Sequence, residues 1–137
     1  MAALVVDAQP LVALLAGEPS MPLVRARLRE WAADGDILIS AVNWAEVLYI
    51  ARRRAGAFAS ARADAMLRRV PISVVDVGAG LASHAAELKT RHTLGLGDSF
   101  AAALAIATNS PLLTGDADFL PLAEHGLAIE WVGEPPA

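Results

Sequence analysis

Leu4-Val5-Val6-Asp7 is an aliphatic run that stops on an acid, and Pro10, three residues on, suits the first turn of a helix. The run is too short for a buried helix and is bounded by polar residues, so it reads as a buried strand. The same punctuated pattern returns at Ile37–Ile39, Ile72–Val75, Leu112–Thr114 and Ala128–Val132. Between these runs the spacing predicts helices over Pro10–Ala16, Met21–Ala33, Ala41–Ala55, Phe58–Arg69, Ala79–His92, Ser99–Thr108 and Ala117–Glu124. Ser20, Ser40, Asp98 and Asp116 are expected N-caps, and Gly17, Gly35, Gly56 and Gly126 expected stops. Strands alternating with helices predict an α/β fold: a mostly parallel central sheet of about five strands with helices on both faces.

The 137 residues suffice for one domain with a substantial core, read as residues 1–132, followed by a loose tail at 133–137. The hydrophobic fraction of 55% argues against disorder. With no cysteine, disulfides and thiolate metal sites are excluded. No apolar run approaches the ~18 residues of a membrane span, and the N-terminus lacks the basic start of a secretory signal. These features fit a cytoplasmic protein without membrane partners. The formal net charge of −4 gives no global pull on nucleic acid, yet the cations are clustered, notably at Arg52-Arg53-Arg54 and Lys89–Arg91.

Four acids stand at the edges of apolar segments: Asp7 after the first run, Glu46 within Val42–Ile50, Asp98 before Phe100–Ala107, and Asp116 just past Leu112–Thr114. In an open α/β sheet, ligands gather beyond the carboxyl ends of the strands, where strand order reverses. Asp7 and Asp116 follow strands and so project from that edge. Glu46 lies in the second turn of the helix after the second strand, and Asp98 begins a helix that feeds the fourth. All four therefore converge on one cleft. Two carboxylates ~5 Å apart repel by roughly 3 kcal/mol at an effective dielectric near 20. A hard cation, magnesium or manganese, removes that repulsion.

Four stretches in this order and spacing carry a family resemblance: Leu4–Ala8, Ile39–Val47, Leu94–Ser99 and Pro111–Asp116. The chain resembles, over essentially its whole length, the PIN-domain ribonucleases, specifically the VapC-type toxins of bacterial toxin–antitoxin pairs. The resemblance implies a single PIN-like domain and magnesium-dependent endonucleolytic cleavage of RNA, with manganese as an alternative ion. In that scheme Asp7 and Asp98 are the main metal ligands, and Glu46 and Asp116 position a second ion or the attacking water. It also implies a homodimer and a VapB-type antitoxin partner whose C-terminal segment covers the cleft. Apolar helix surfaces near Leu11–Leu15 and Leu23–Trp31 suit such a segment. Thr114, Ser99 and Asp118 are candidate secondary groups, and Arg52, Arg53, Arg54, Lys89 and Arg91 candidate contacts to the RNA backbone. Ala8-Gln9 departs from the family, which usually has Ser or Thr close after its first Asp.

The plainer accounts are that Asp7, Asp98 and Asp116 cap helices, that Asp118 is a first-turn dipole partner, and that Glu46 pairs with a core arginine. A phosphate-receiving signalling domain shares the alternation, but Asp7 has no adjacent acid and no lysine lies beyond Lys89. A phosphatase would want an acid where Gln9 stands, and no glycine-rich phosphate loop follows the first strand. Two alternatives keep the fold: an RNA-maturation nuclease, and a catalytically impaired PIN-like binding module.

Overall fold

The strand ends decide where function can sit, and the sheet order fixes which ends meet. In a computed structural model describing residues 3–136, the chain runs β1 (Ala3–Val6), α1 (Ala8–Ala16), α2 (Met21–Asp34), β2 (Asp36–Ser40), α3 (Ala41–Ala55), α4 (Ala59–Arg69), β3 (Ile72–Val75), α5 (Ala79–Arg91), α6 (Leu96–Ala107), β4 (Leu112–Thr114), α7 (Leu120–Ala123) and β5 (Ile129–Trp131). The sheet order is β3-β2-β1-β4-β5, and every pairing among the described residues is parallel. The chain moves outward from β1 to β2 and β3, then crosses back to β4 on the other side. The switch point therefore lies between the carboxyl ends of β1 and β4.

Strand side chains alternate between two cores, as a period of two requires. Leu4, Val6, Ile37, Ile39 and Leu113 pack with α1, α2, α3 and α4. Val5 and Leu112 pack on the opposite face with α6, Phe119 and Leu122. Each fully buried aliphatic side chain contributes roughly 1.5–3 kcal/mol, and this two-sided burial is why the strands read as continuous apolar runs. Helix α6 is buried along Ala101–Ala105. Its alanines let it lie close against the sheet while its first turn reaches the strand ends.

Several element limits differ from expectation for local reasons. Helix α1 starts at Ala8 because Asp7 caps it, and it ends at Gly17 with φ 66. Helix α6 starts at Leu96 with Gly95 as its N-cap, so Asp98 lies inside the first turn and is not the cap. Ser20 occupies the cap position of α2 without a side-chain hydrogen bond. The expected helices at Phe58 and Ala117 each begin as a 3-10 turn, Gly56–Phe58 and Ala117–Phe119. Among the described residues no helix is long and apolar enough to cross a membrane.

Candidate functional site

Asp7 leaves the end of β1 with extended backbone and is buried at 3% exposure. Its Oδ1 accepts from the Ala8 N–H at 2.9 Å, and its Oδ2 accepts from the Thr114 hydroxyl at 3.0 Å. Thr114, fully buried at the end of β4, in turn accepts from the Asp116 N–H at 3.1 Å. Asp116 then accepts from the Asp118 N–H at 2.9 Å, which turns the chain into the 3-10 segment. One hydroxyl thus couples the ends of the two strands at the switch point. Gln9 lies elsewhere: its side-chain amide donates to Glu18 at 3.3 Å, so the hydroxyl beside Asp7 comes from Thr114.

The other two acids arrive on helices that touch each other. Asn43, fully buried in the first turn of α3, donates from Nδ2 to the Gly97 carbonyl at 2.9 Å and accepts from the Ser40 hydroxyl at 2.5 Å. This contact clamps the start of α3 to the first turn of α6. Glu46, one turn further along α3, lies against Gly97: a Cβ there would stand 2.6 Å from Glu46 Oε1. That oxygen is buried and has no hydrogen-bond partner. Asp98 reaches back to the Gly95 N–H in the manner of a capping box.

The carboxylates crowd. One oxygen from each of Asp98, Asp116 and Asp118 lies within 4.8 Å of the others. Burial, followed by the neighbouring Asp98 charge, pushes the Asp7 carboxyl up to about 7. Burial, followed by the charges of Asp116 and Glu46, pushes Asp98 up to about 6. None of the ion pairs formed among the described residues involves Asp7, Glu46, Asp98, Asp116 or Asp118. The expected alternative, a Glu46–arginine core pair, would satisfy the Glu46 carboxylate, yet its Oε1 has no hydrogen-bond partner among the described residues.

The structure thus brings Asp7, Glu46, Asp98 and Asp116 to one end of the sheet. It places Asp118, expected as a secondary group or a first-turn dipole partner, in the group that shares ligand distance. Asp7 is not one of those three, and each of its oxygens takes a hydrogen bond. Ser99 does not face the cleft: it is buried, and its hydroxyl donates to the Gly95 carbonyl at 2.9 Å. The cations divide. Arg54 pairs with Glu18, Arg91 with Glu87, and Lys89 donates to the Leu94 carbonyl in the segment leading to α6. Arg53 engages Tyr49. Asn43 and Gly97 were not singled out from sequence, because what marks them is a contact between helices 54 positions apart.

The arrangement suits a hard cation. Three closely spaced carboxylates in no ion pair among the described residues, with a buried Glu46 oxygen that lacks a hydrogen-bond partner, form an oxygen-only donor set of the type that takes a hard divalent cation. A family model described as the PIN domain matches residues 4–124. A comparison with curated proteins gives no significant match. Among solved structures, VapBC2 from Rickettsia felis, bound to a DNA fragment from its promoter, is similar with a TM-score of 0.78 at 22% identity, covering 94% of this chain and 98% of that one. VapC20 from Mycobacterium tuberculosis, described as a toxin cleaving the sarcin–ricin loop, gives 0.73 at 24% identity, covering 91% and 96%. DNA-bound VapBC from Salmonella typhimurium gives 0.73 at 19% identity, covering 97% and 100%.

Proposed function

Since the chain belongs to the PIN-domain family, we propose that it is a metal-dependent endoribonuclease, the toxin of a toxin–antitoxin pair, acting in the cytoplasm. The observation that carries this reading is the convergence of the acids at the switch point, with the Glu46 oxygen left unpartnered. Asp98, Asp116 and Asp118 would hold magnesium or manganese, with Asp7 and Glu46 completing the anionic wall. When bound, such an ion lowers the pKa of water and offsets charge that builds on a phosphate under attack.

The chain's own groups have defined parts. Thr114 holds the Asp7 carboxylate and fixes the Asp116 backbone, so the two strand ends keep one spacing. Asn43 and Gly97 set Glu46 beside Asp98. Without metal, burial and the Asp98 charge push the Asp7 carboxyl up to about 7, and a bound cation would lower it. The acid set is complete, which weighs against the impaired binding module. Structural neighbours are VapBC assemblies, and this supports an antitoxin partner. A groove of about 610 Å³ between α1, α2 and α4, lined by Leu14, Leu28 and Met66 and flanked by Arg25, Arg29 and Arg69, is its proposed seat. It suits an amphipathic helix with an acidic edge. Leu15 lines the groove as expected, whereas Leu11 is buried in the core and does not. The proposal includes a homodimer, to be checked by sedimentation.

The test is RNA cleavage with and without magnesium, comparing the parent with Asp7→Asn and Asp98→Asn. The parent should cut only with the ion, and both variants should lose cleavage. Activity that survives both substitutions would place the chemistry elsewhere.

A further inference from the structure

Lys89, the one lysine of the chain, directs its charge at a neutral peptide. It stands in the last turn of α5, and its Nζ donates to the Leu94 carbonyl at 2.8 Å. It is in none of the ion pairs among the described residues. A lysine in a last turn ordinarily meets the closing carbonyls of its own helix. This one reaches past His92, the C-cap, into the segment that leads to α6. The carbonyl it holds belongs to the peptide unit joining Leu94 to Gly95, and the N–H of that same unit serves the acids. Gly95 is the N-cap of α6, and the Asp98 carboxylate accepts from its N–H. A Cβ on Gly95 would stand 3.2 Å from Asp98 Oδ2, so the carboxylate lies against the cap residue.

An ammonium, one peptide and a carboxylate therefore stand in series. In a planar trans peptide the C=O and N–H point in opposite directions, so an oxygen held by Lys89 fixes where the Gly95 N–H aims. A cation on the oxygen also polarises the unit and strengthens its N–H as a donor. The other pins on this turn act on different peptides: Asn43 holds the Gly97 carbonyl at 2.9 Å, and the Ser99 hydroxyl holds that of Gly95 at 2.9 Å. Of these three, Lys89 is the one that acts on the peptide whose N–H meets the carboxylate. We propose that Lys89 is a positioning residue of the cation site: through the Leu94–Gly95 peptide it holds the Asp98 carboxylate beside Asp116 and Asp118. This rests on the metal-dependent reading above and deepens it, since a residue outside the acid cluster sets the geometry of a ligand. The rival role is the RNA-backbone contact expected from sequence, whereas the bond to Leu94 needs no RNA.

The experiment measures manganese uptake, without RNA, by the parent, Lys89→Met and Lys89→Arg. Methionine keeps an unbranched stem but no donor, and arginine keeps both charge and donors. Lys89→Met should bind about ten-fold more weakly, Lys89→Arg should recover most of the affinity, and all three should melt together. A second readout needs no metal. Isotope labelling of leucine carbonyls together with glycine nitrogens marks two peptides, Leu94–Gly95 and Leu96–Gly97, because glycine follows leucine nowhere else in the chain. Lys89→Met should shift the Leu94–Gly95 signal and speed hydrogen exchange of its amide by on the order of ten-fold. The Leu96–Gly97 signal, tied to α3 through Asn43, should stay in place. Equal manganese affinity in the parent and Lys89→Met overturns the proposal, as does a loss that Lys89→Arg fails to recover. So does a loss accompanied by lower melting and movement of both labelled peptides, which is a collapsed turn and not a misaimed carboxylate. If the parent binds manganese and Lys89→Met binds it equally, only the role of Lys89 is wrong. If the parent takes up none, the metal-dependent reading falls and this role with it.

Discussion

Replacing Asp98 by Asn in metal-free buffer should stabilise the protein above neutral pH, which is the reverse of the usual cost of altering a half-buried polar group. In the folded chain Asp98 titrates at about 6 against an ordinary 3.8, first because burial disfavours its charge and then because Asp116 and Glu46 repel it. The fold therefore retains a proton that the unfolded chain gives up. The stability this proton confers is complete below the ordinary carboxylate value and is lost as pH rises through about 6. A displacement from 3.8 to about 6 corresponds to at most ~3 kcal/mol. Asp98 is partly exposed, and solvent screening reduces this to roughly 1–2 kcal/mol. For a domain of this size that is about 3–8 °C in melting temperature. Calorimetry of parent and Asp98→Asn, without metal at pH 5 and 7.5, reads it directly. The variant should melt higher at pH 7.5, keep about half of that gain at pH 5, and lose it only below the ordinary carboxylate value of 3.8. Magnesium at ten times its Kd should raise the parent by about 1.4 kcal/mol and the variant by about 0.4 kcal/mol or less. A melting difference that is the same at both pH values, with the magnesium gain intact in the variant, would refute the crowding argument.

Other substitutions separate position from stability. Gly97→Ala puts a methyl 2.6 Å from Glu46 Oε1. Because the end of a flexible side chain can swing aside, stability should stay within about 1 kcal/mol while RNA cleavage falls at least ten-fold, measured by melting and single-turnover assay. Thr114→Val keeps the shape but leaves the Asp7 carboxylate and the Asp116 N–H without their partner. Denaturant unfolding should show a loss of about 1–3 kcal/mol. Reversing two groove charges, Arg25→Glu with Arg69→Glu, should slow association with an acidic antitoxin segment and weaken its salt dependence, read by stopped-flow or surface kinetics.

The strands and the acids that follow them were legible because a buried parallel strand is a short apolar run and an acid at its end stands out. Asp7 and Asp116 are of this kind, and the switch-point rule brought them together. Asp98 lies beside Asp116 and Asp118 but is not the cap it was expected to be. Gly95-Leu96-Gly97 looks like loop, and only the contact with α3 makes it the first turn of a helix. Ser99 looked available, but a serine within a helix can bond back to the carbonyl four residues earlier, and this one does. Asn43 carries no local signal: its role depends on Gly97, which is distant in sequence. Asp118 sits in the first turn of its 3-10 segment, so its expected dipole role and its place beside Asp98 are compatible.

Manganese uptake, followed by loss of the free-ion paramagnetic signal, tests most directly whether the gathered carboxylates hold a divalent ion. The parent should bind in the millimolar range or tighter, and Asp98→Asn and Asp116→Asn should each weaken binding by about ten-fold or more. Identical uptake by all three proteins, or none by the parent, would contradict the account.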